Sequence, residues 1–256
     1  MQLFTIRKYI KSHDQIRATL HKLNIMGISH IEIARVKFDM EEAKLIRQVC
    51  DKLGMSIGSS QIKYQCIIKD FENIVAVHKV LGCSYIGVSV LPTQYILKGE
   101  KGIRSFAILL NNLGERLSGR GLKLLYHHHH MEFARYGPKT GLEILMEATD
   151  PIYVNLMLDT YWAQRGGKNP VDLIHQFSRR IKVIHLRDYQ VVLSLIKADY
   201  IVKDCALGDG NLDILGIIVA ARRYNVPYLP IEQDSKTPFE AIERSVNYLK
   251  AKGFIV

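Results

Sequence analysis

The chain alternates between short apolar runs and longer amphipathic stretches, and this alternation limits its fold more than any other feature. Several of the apolar runs are continuous, as in strands that are buried on both faces of a parallel sheet. Eight strands are predicted: LFTI at 3–6, ISHIEIA at 28–34, MSIGSS at 55–60, YIGVSVL at 85–91, LKLLY at 122–126, YVNLML at 153–158, KVIHL at 182–186 and PYLPIE at 227–232.

Eight amphipathic helices are predicted between and after these strands. The first three end in glycine, a usual residue at a helix C-terminus. Pro170 and Pro238 follow candidate helix caps, Asn169 and Thr237, and so mark two helix starts. The helices cover 13–27, 39–54, 71–82, 103–121, 139–149, 169–180, 212–225 and 237–253.

Eight strands that alternate with eight helices over 256 residues form the pattern of an α/β protein with a (β/α)8 TIM barrel. A doubly wound open sheet is the alternative, but the first strand–helix turn has no GxGxxG motif and the chain has no P-loop. No linker or change of composition interrupts the pattern. We therefore predict a single TIM-barrel domain over residues 1–256.

Composition excludes several classes of protein. Apolar residues make up 48% of the chain and charged residues 23%, values typical of a soluble globular protein rather than a disordered one. No apolar run is long enough to span a membrane, and the N-terminus does not match a signal peptide. Four irregularly spaced cysteines without a CxxC pair indicate reduced thiols and a cytoplasmic location. The net charge of +10 is spread along the chain, which favours a solvated basic surface.

Polar side chains stand where the last three predicted strands end. Asp159, His185 and Glu232 each lie at that position, and in TIM barrels the active site lies at the carboxyl ends of the strands. Each residue alone has an ordinary interpretation as a helix cap, a turn residue or a core histidine. Two carboxylates and an imidazole that converge from three strands predict a site for one divalent cation, Mn²⁺, Mg²⁺, Co²⁺ or Zn²⁺.

Strand 5 runs into four consecutive histidines, and Glu132 follows shortly after them. Side chains alternate along a strand, so His127 and His129 share one face while His128 and His130 share the other. At most one of these pairs can point toward the reaction centre. Strand 2 carries Glu32 and strand 3 leads to Gln61, which adds polar groups to the same mouth of the barrel.

Five ordered stretches resemble motifs of the xylose-isomerase-like TIM-barrel superfamily, often labelled sugar phosphate isomerase/epimerase. They are LLYHHHHMEF, LMLDTYWAQRGGKNPVDLI, KVIHLRDY, LGDGNLDI and PIEQD, which are similar to YHNHDFEF, LDTYW, HLKD, GEGNLD and VEQD. The superfamily includes inosose dehydratases, ketose 3-epimerases and endonucleases that act at abasic sites. The YHHHHMEF form leans toward the inosose-dehydratase-like branch. The chain departs from the motifs at His128 and His130, where Asn and Asp are usual, and at Arg187, where Lys is usual.

The resemblance implies one divalent metal ion held by side chains from strands 5 to 8. Carried over to this chain, three of the ligands are Asp159, His185 and Glu232. The strand-5 glutamate of the epimerases falls near Tyr126, so Glu132 is taken as the fourth ligand, with His127 and His129 as alternatives.

The resemblance also implies a reaction, namely proton removal next to a carbonyl through an enediolate. The expected enzyme is an isomerase, epimerase or dehydratase of a keto-sugar, sugar phosphate or keto-inositol, with the metal as Lewis acid. Its partner is then a small-molecule sugar or polyol, without a membrane or nucleic acid, and a homo-oligomer is compatible with the family. The implied acid/base groups are Glu132, Glu232 and His129, and the implied substrate contacts are Glu32, Gln61, His127, Tyr161, Trp162 and Arg187.

Two other functions stay open on the sequence. A non-catalytic sugar-binding barrel would explain the missing strand-5 glutamate. A metal-dependent abasic-site endonuclease would suit the charge of +10, because Lys and Arg contacts with phosphates dominate DNA affinity. A nuclease site with several zinc ions would need more ligands on strands 2 to 4 than Glu32, Gln61 and Ser89 provide.

Overall fold

The computed structural model describes residues 1–254, and parallel strands form its centre. The strands are β1 His30–Ile33, β2 Ser56–Ile62, β3 Tyr85–Val88, β4 Lys123–His127, β5 Arg135–Tyr136, β6 Lys139–Thr140, β7 Val154–Asp159, β8 Ile181–His185, β9 Asp188–Ser194 and β10 Asp199–Cys205. The helices are α1 His13–Ile25, α2 Met40–Leu53, α3 Tyr64–Lys69, α4 Phe71–Leu81, α5 Thr93–Ile96, α6 Gly99–Ser118, α7 Gly141–Ala148, α8 Thr160–Arg165, α9 Pro170–Gln176, α10 Ile214–Arg223 and α11 Pro238–Ala251. Short 3₁₀ helices cover Leu3–Tyr9 and Met131–Phe133.

Six strands form a continuous parallel sheet in the order β1-β2-β3-β4-β7-β8, and two short segments close it into a barrel. At one edge, Gln2 forms a parallel bridge with Glu32 of β1. At the other edge, Tyr228 forms a parallel bridge with Val183 of β8, and Ile231 forms one with Leu186 just after β8. The amide of Gln2 donates to the carbonyl of Ile231 at 2.9 Å, which joins the two edges. The predicted (β/α)8 barrel is therefore confirmed.

The first predicted strand is wrong in its position. Residues 3–6 lie in the 3₁₀ helix Leu3–Tyr9, and the backbone pairing with β1 comes from Met1 and Gln2 before it. The side chain of Gln2 accepts a hydrogen bond from the amide of Phe4 at 2.5 Å, which caps the helix and turns the chain away from the sheet. The eighth strand, predicted over 227–232, forms only isolated bridges. Pro227 and Pro230 lack the amide hydrogen that a regular ladder needs.

All eight predicted helices are present, although their ends differ from the prediction by a few residues. Gly54 and Gly82 follow α2 and α4 with φ of 65° and 67°, the left-handed conformation that glycine adopts at helix ends. Asn169 caps α9 as predicted, because its side chain accepts from the amide of Val171 at 2.8 Å. Thr237 occupies the N-cap position of α11 and Pro238 begins the helix, as predicted, although the Thr237 side chain makes no capping hydrogen bond.

The sequence patterns did not identify the antiparallel hairpin formed by β9 and β10. It is inserted directly after β8, at the carboxyl end of the barrel, and its strands pair from Asp188 with Cys205 to Ser194 with Asp199. The hairpin therefore begins and ends beside the predicted active site. Over residues 1–254, no helix is both long and apolar enough to cross a membrane.

Candidate metal centre and cavity

Four buried side chains converge at the carboxyl ends of neighbouring strands. His127 ends β4, Asp159 ends β7 and His185 ends β8, while Glu232 follows the last bridge of the barrel. Asp159 lies opposite His185 in the parallel register, so the two side chains leave the sheet side by side. One nitrogen or oxygen atom from each of the four residues lies within 4.8 Å of the others.

These four atoms fit a divalent cation. His127 Nε2, His185 Nδ1 and Glu232 Oε2 are buried, and none of them forms a hydrogen bond of good geometry within residues 1–254. His185 Nδ1 lies 2.9 Å from Glu232 Oε2 and 3.8 Å from Asp159 Oδ2, and His127 Nε2 lies 3.6 Å from the same Asp159 oxygen. Buried polar atoms that lack a partner are costly, and facing lone pairs repel. A proton or a cation among them would relieve this cost, and two imidazoles with two carboxylates suit a cation.

Each imidazole is held by its other nitrogen. His127 Nδ1 lies 3.2 Å from the carbonyl oxygen of Ser89, which can only accept, so in the neutral ring Nδ1 carries the hydrogen and Nε2 the lone pair. His185 Nε2 lies 3.0 Å from Glu32 Oε1, and the other oxygen of Glu32 accepts from Ser59 Oγ at 2.5 Å. Such contacts orient the ligands of metal sites. Glu32, predicted as a substrate contact, therefore lies behind His185 and does not line the cavity.

Arg187 places a positive charge against the cluster. One guanidinium nitrogen lies 3.1 Å from Glu232 and 3.4 Å from Asp159, and another donates to Asp204. Burial opposes ionisation of Asp159, but Arg187 and the two histidines outweigh it and hold the pKa of Asp159 well below its ordinary value. Arg187 and His185 likewise lower the pKa of Glu232 against the effect of burial. Both carboxylates are therefore ionised near neutral pH.

Asp204 is a site residue that the sequence analysis missed. It lies in β10 opposite Tyr189, and the hairpin returns it to the cavity beside Arg187. Its Oδ1 atom is buried without a hydrogen-bond partner among the described residues. Burial raises the pKa of Asp204 to about 6, although Arg187 works in the opposite direction. No local pattern marked this residue, because its position depends on the pairing of the hairpin.

A cavity of about 1250 Å³ opens above the cluster, and most of the predicted substrate residues line it. Pockets for drug-sized ligands span roughly 300–1000 Å³, so a six-carbon sugar fits with room to spare. The predicted residues that line it are Gln61, His127, His129, Tyr161, Trp162, Arg187 and Glu232.

Aromatic rings form one wall of this cavity. The ring of Trp162 lies 5.0 Å from the ring of His129, and Tyr161 packs edge-on against Trp162 at 4.8 Å. The guanidinium carbon of Arg187 lies 4.7 Å from the centre of the Tyr161 ring. Burial, followed by the effect of His127, lowers the pKa of His129 to about 3, so this imidazole is neutral at ordinary pH. Its Nδ1 atom is buried without a partner within residues 1–254.

Glu132, expected as a metal ligand and acid/base group, points elsewhere. The strand ends at His127, and the 3₁₀ turn Met131–Phe133 carries Glu132 back toward the barrel wall. One carboxylate oxygen accepts from Tyr126 Oη at 2.5 Å, and the other accepts from the amide of His129 at 2.9 Å. Glu132 is outside the four-residue cluster and does not line the cavity. His127, at the end of β4, occupies the position expected of the ligand from the fifth predicted strand.

Comparison with solved structures agrees with this architecture. A sugar phosphate isomerase/epimerase from Parabacteroides distasonis ATCC 8503 matches with a TM-score of 0.78 at 21% identity, over 100% of this chain and 94% of that one. A probable 3-DHS dehydratase from Bacillus anthracis matches with a TM-score of 0.71 at 13% identity, over 98% and 97% of the two chains. Identities this low show a shared fold.

Sequence comparison finds inosose dehydratases among the curated relatives. An inosose dehydratase from Clostridium botulinum (strain Alaska E43 / Type E3) is 32% identical over 163 residues, which cover 57% of this chain and 53% of that protein. The chain spans about half the length of the curated relatives it matches. The family model described as xylose isomerase-like TIM barrel matches residues 5–252. The chain therefore belongs to the xylose isomerase-like TIM-barrel family.

Proposed function

We propose that this chain is a divalent-metal-dependent dehydratase or epimerase that acts on a keto-inositol or keto-sugar. The observation that carries the proposal is the convergence of four buried ligand atoms within 4.8 Å of one another, from two imidazoles and two carboxylates. The inosose dehydratases among its relatives support dehydration as the first reaction to test.

His127, Asp159, His185 and Glu232 would hold the ion. When bound, a divalent cation polarises the carbonyl and stabilises the negative charge that develops when the neighbouring carbon loses a proton. Equal numbers of imidazole and carboxylate ligands favour Mn²⁺, Co²⁺ or Zn²⁺ over Mg²⁺, which prefers oxygen ligands.

The ionised side chain of Glu232 lines the cavity and is suited to accept the proton from carbon. Asp204 is suited to donate one, because its partnerless Oδ1 lies in the cavity wall and its pKa is raised to about 6. Transfer of that proton to the hydroxyl on the next carbon releases water and gives a dehydratase. Return of a proton to the opposite face of the first carbon gives an epimerase. His129, held neutral, is suited to hydrogen-bond a substrate hydroxyl through Nδ1.

A phosphorylated keto-sugar is the second candidate substrate, because one wall of the cavity is cationic. Arg35, Lys37, Lys63 and Lys69 line it, and none of them forms an ion pair within residues 1–254. These cations follow β1 and β2, which lie across the barrel from β7 and β8. They therefore face the four-residue cluster. A phosphate at the far end of the substrate would meet these charges.

The loop that carries two of these cations is held firmly. Arg35 and Phe38 have φ of 62° and 57°, a left-handed conformation that residues other than glycine adopt at a cost. The amide of Lys37 donates to Glu42 at 2.5 Å, and the carbonyl of Phe38 accepts from Asn73 at 3.2 Å. Asp39 and Asp70 also line this wall, but each accepts a local hydrogen bond.

Elemental analysis of the purified protein tests the proposal, together with the Asp159→Ala and Glu232→Ala variants. We expect about one Mn, Co or Zn ion per chain in the wild type and loss of that ion in both variants. Proton exchange in D₂O with keto-inositols, keto-sugars and their phosphates would then identify the substrate. A wild-type protein that holds no ion even after reconstitution would overturn the enzymatic proposal and leave a sugar-binding barrel.

A further inference from the structure

The hairpin of β9 and β10 exposes an unusual amount of apolar surface. Ile196 at its tip is fully exposed, and Leu195 beside it is 86% exposed. Other exposed large apolar residues among those described, such as Ile25 and Ile152, are scattered over the barrel. Six large apolar side chains of the hairpin are exposed: Val191, Leu193, Leu195, Ile196, Tyr200 and Val202.

Four of these side chains share one face of the hairpin. Val191 pairs with Val202 and Leu193 pairs with Tyr200, so both cross-strand pairs project to the same side. The turn residues Leu195 and Ile196 continue this strip at the tip. A two-stranded hairpin is marginally stable in water unless something packs on it. We call these six side chains the hairpin face. They are exposed, although their apolar composition is typical of a surface that packs against a partner.

We propose that the hairpin face binds the hairpin face of a second copy of this chain and forms a homodimer with two-fold symmetry. The six side chains are 44% to 100% exposed, and the strand pairing places them next to one another. Contiguous apolar patches on soluble proteins often mark a binding surface.

Charge favours a second copy over an acidic or lipid partner. The whole chain carries +10, but the hairpin beyond its root carries only Lys197, Asp199 and Lys203. Lys197 lies in the turn and Asp199 directly after it, so a two-fold axis near the tip can set each lysine against the aspartate of the other copy. Residues 189–203 carry two lysines and one aspartate, fewer cations than the polybasic segments that anionic membrane surfaces attract.

The interface would also bear on the cavity. At the root of the hairpin, Asp188 accepts from the amides of Gly208, Gly210 and Leu212 at 3.0–3.2 Å, which fixes the root to the barrel. Asp204, in the same hairpin, accepts a hydrogen bond from Arg187 and so holds it beside the four-residue cluster. A dimer that orders the hairpin would therefore steady the Arg187–Asp204 pair. The interface itself does not depend on the proposed reaction.

Light scattering coupled to size-exclusion chromatography tests the proposal at micromolar concentration. The samples are the full chain, a Leu193→Lys/Ile196→Asp double variant and an Ile152→Asp control that places a charge at an exposed apolar position on the barrel. We expect twice the mass of one chain for the wild type and the control, and the mass of one chain for the double variant. Circular dichroism and thermal unfolding verify that both variants are folded.

Three results would overturn the proposal. The first is a monomeric wild type, including one that binds lipid vesicles or an unlike protein through the hairpin. The second is a dimer that the double variant leaves intact, which would place the interface elsewhere. The third is loss of the dimer in the Ile152→Asp control as well, which would show that the effect is not specific to the hairpin face.

Discussion

His185 Nε2 lies 3.0 Å from Glu32 Oε1, and both side chains are almost completely buried. Because Glu32 stands on β1 and His185 on β8, this contact crosses the barrel near its closure. It turns Nδ1 of His185 toward Glu232 and Asp159. Burial alone would lower the pKa of His185, but Glu32 and Glu232 outweigh it and hold this pKa well above its ordinary value.

Replacing Glu32 should therefore weaken the metal site without removing a ligand. We expect Glu32→Gln to lower metal affinity by about 10- to 100-fold, because the carboxylate that orients His185 is lost. The stoichiometry at saturating ion should stay at one. Competition against a chromogenic chelator measures the affinity. Glu42→Gln, which removes a buried carboxylate outside the cluster, is the matched control. Equal affinities for Glu32→Gln and wild type would show that Glu32 does not orient the site.

The ligand at the end of β4 can be identified by a pair of variants. We expect His127→Ala to lose the bound ion and Glu132→Gln to retain it, because only His127 lies in the cluster. Glu132→Gln should instead cost about 1–3 kcal/mol of stability, because its amide group cannot accept from both Tyr126 and the amide of His129. Elemental analysis and urea unfolding measure the two effects. The opposite pattern would restore Glu132 as the ligand.

The sequence was sufficient to predict three members of the cluster. Asp159, His185 and Glu232 each follow an apolar run, and parallel strands bring their carboxyl ends to the same mouth. The alternation along the fifth predicted strand, which is β4 in the structure, also placed His127 and His129 on one face. It could not tell which residue after Tyr126 reaches the centre, because that depends on where the strand gives way to a 3₁₀ turn.

Other parts of the molecule depend on contacts that local patterns do not encode. The first strand of the barrel is only two residues long, Met1 and Gln2. Its position follows from backbone hydrogen bonds to Glu32 and Ile231. Asp204 reaches the cavity only because β10 pairs back along β9. Glu32 looked like a substrate contact because it stands on a strand of the barrel. In the structure its carboxylate contacts His185, which is close in space but far away in sequence.

If Asp204 is the proton donor, its removal should change both the rate and its pH dependence. We expect Asp204→Asn to lower kcat by about 100- to 10,000-fold. In the wild type, kcat/KM should fall as the pH rises through about 6, because Asp204 of the free enzyme then loses the proton that it must donate. That limb should be absent in the variant.

Asp172→Asn provides the matched control for this prediction. Asp172 is an exposed aspartate in α9, outside the cavity, so its substitution should leave the pH profile unchanged. An Asp204→Asn enzyme that keeps the wild-type limb near pH 6 would assign that limb to another group. Asp204 would then serve only to position Arg187.

His78, which is outside the four-residue cluster, should make the fold sensitive to acid. The side chain is buried, with Nε2 2.7 Å from Ser60 Oγ and Nδ1 2.6 Å from the carbonyl of Ile74. Burial lowers the pKa of His78 from 6.5 to about 4. Between these values the unfolded chain binds a proton that the folded chain does not, so stability falls as the pH falls. The difference in pKa corresponds to about 3 kcal/mol at or below pH 4.

Urea unfolding above pH 6.5 and near pH 4 measures this loss, with His78→Gln as the non-titrating comparison. His128 and His129, whose pKa values are also lowered, destabilise both proteins in acid to the same extent. The difference between the wild type and His78→Gln therefore isolates His78. We expect the wild type to lose about 3 kcal/mol more than the variant over this interval. Parallel losses would mean that His78 takes up its proton in the folded state as readily as in the unfolded chain, with Ser60 or the surrounding packing rearranged to accommodate the charge.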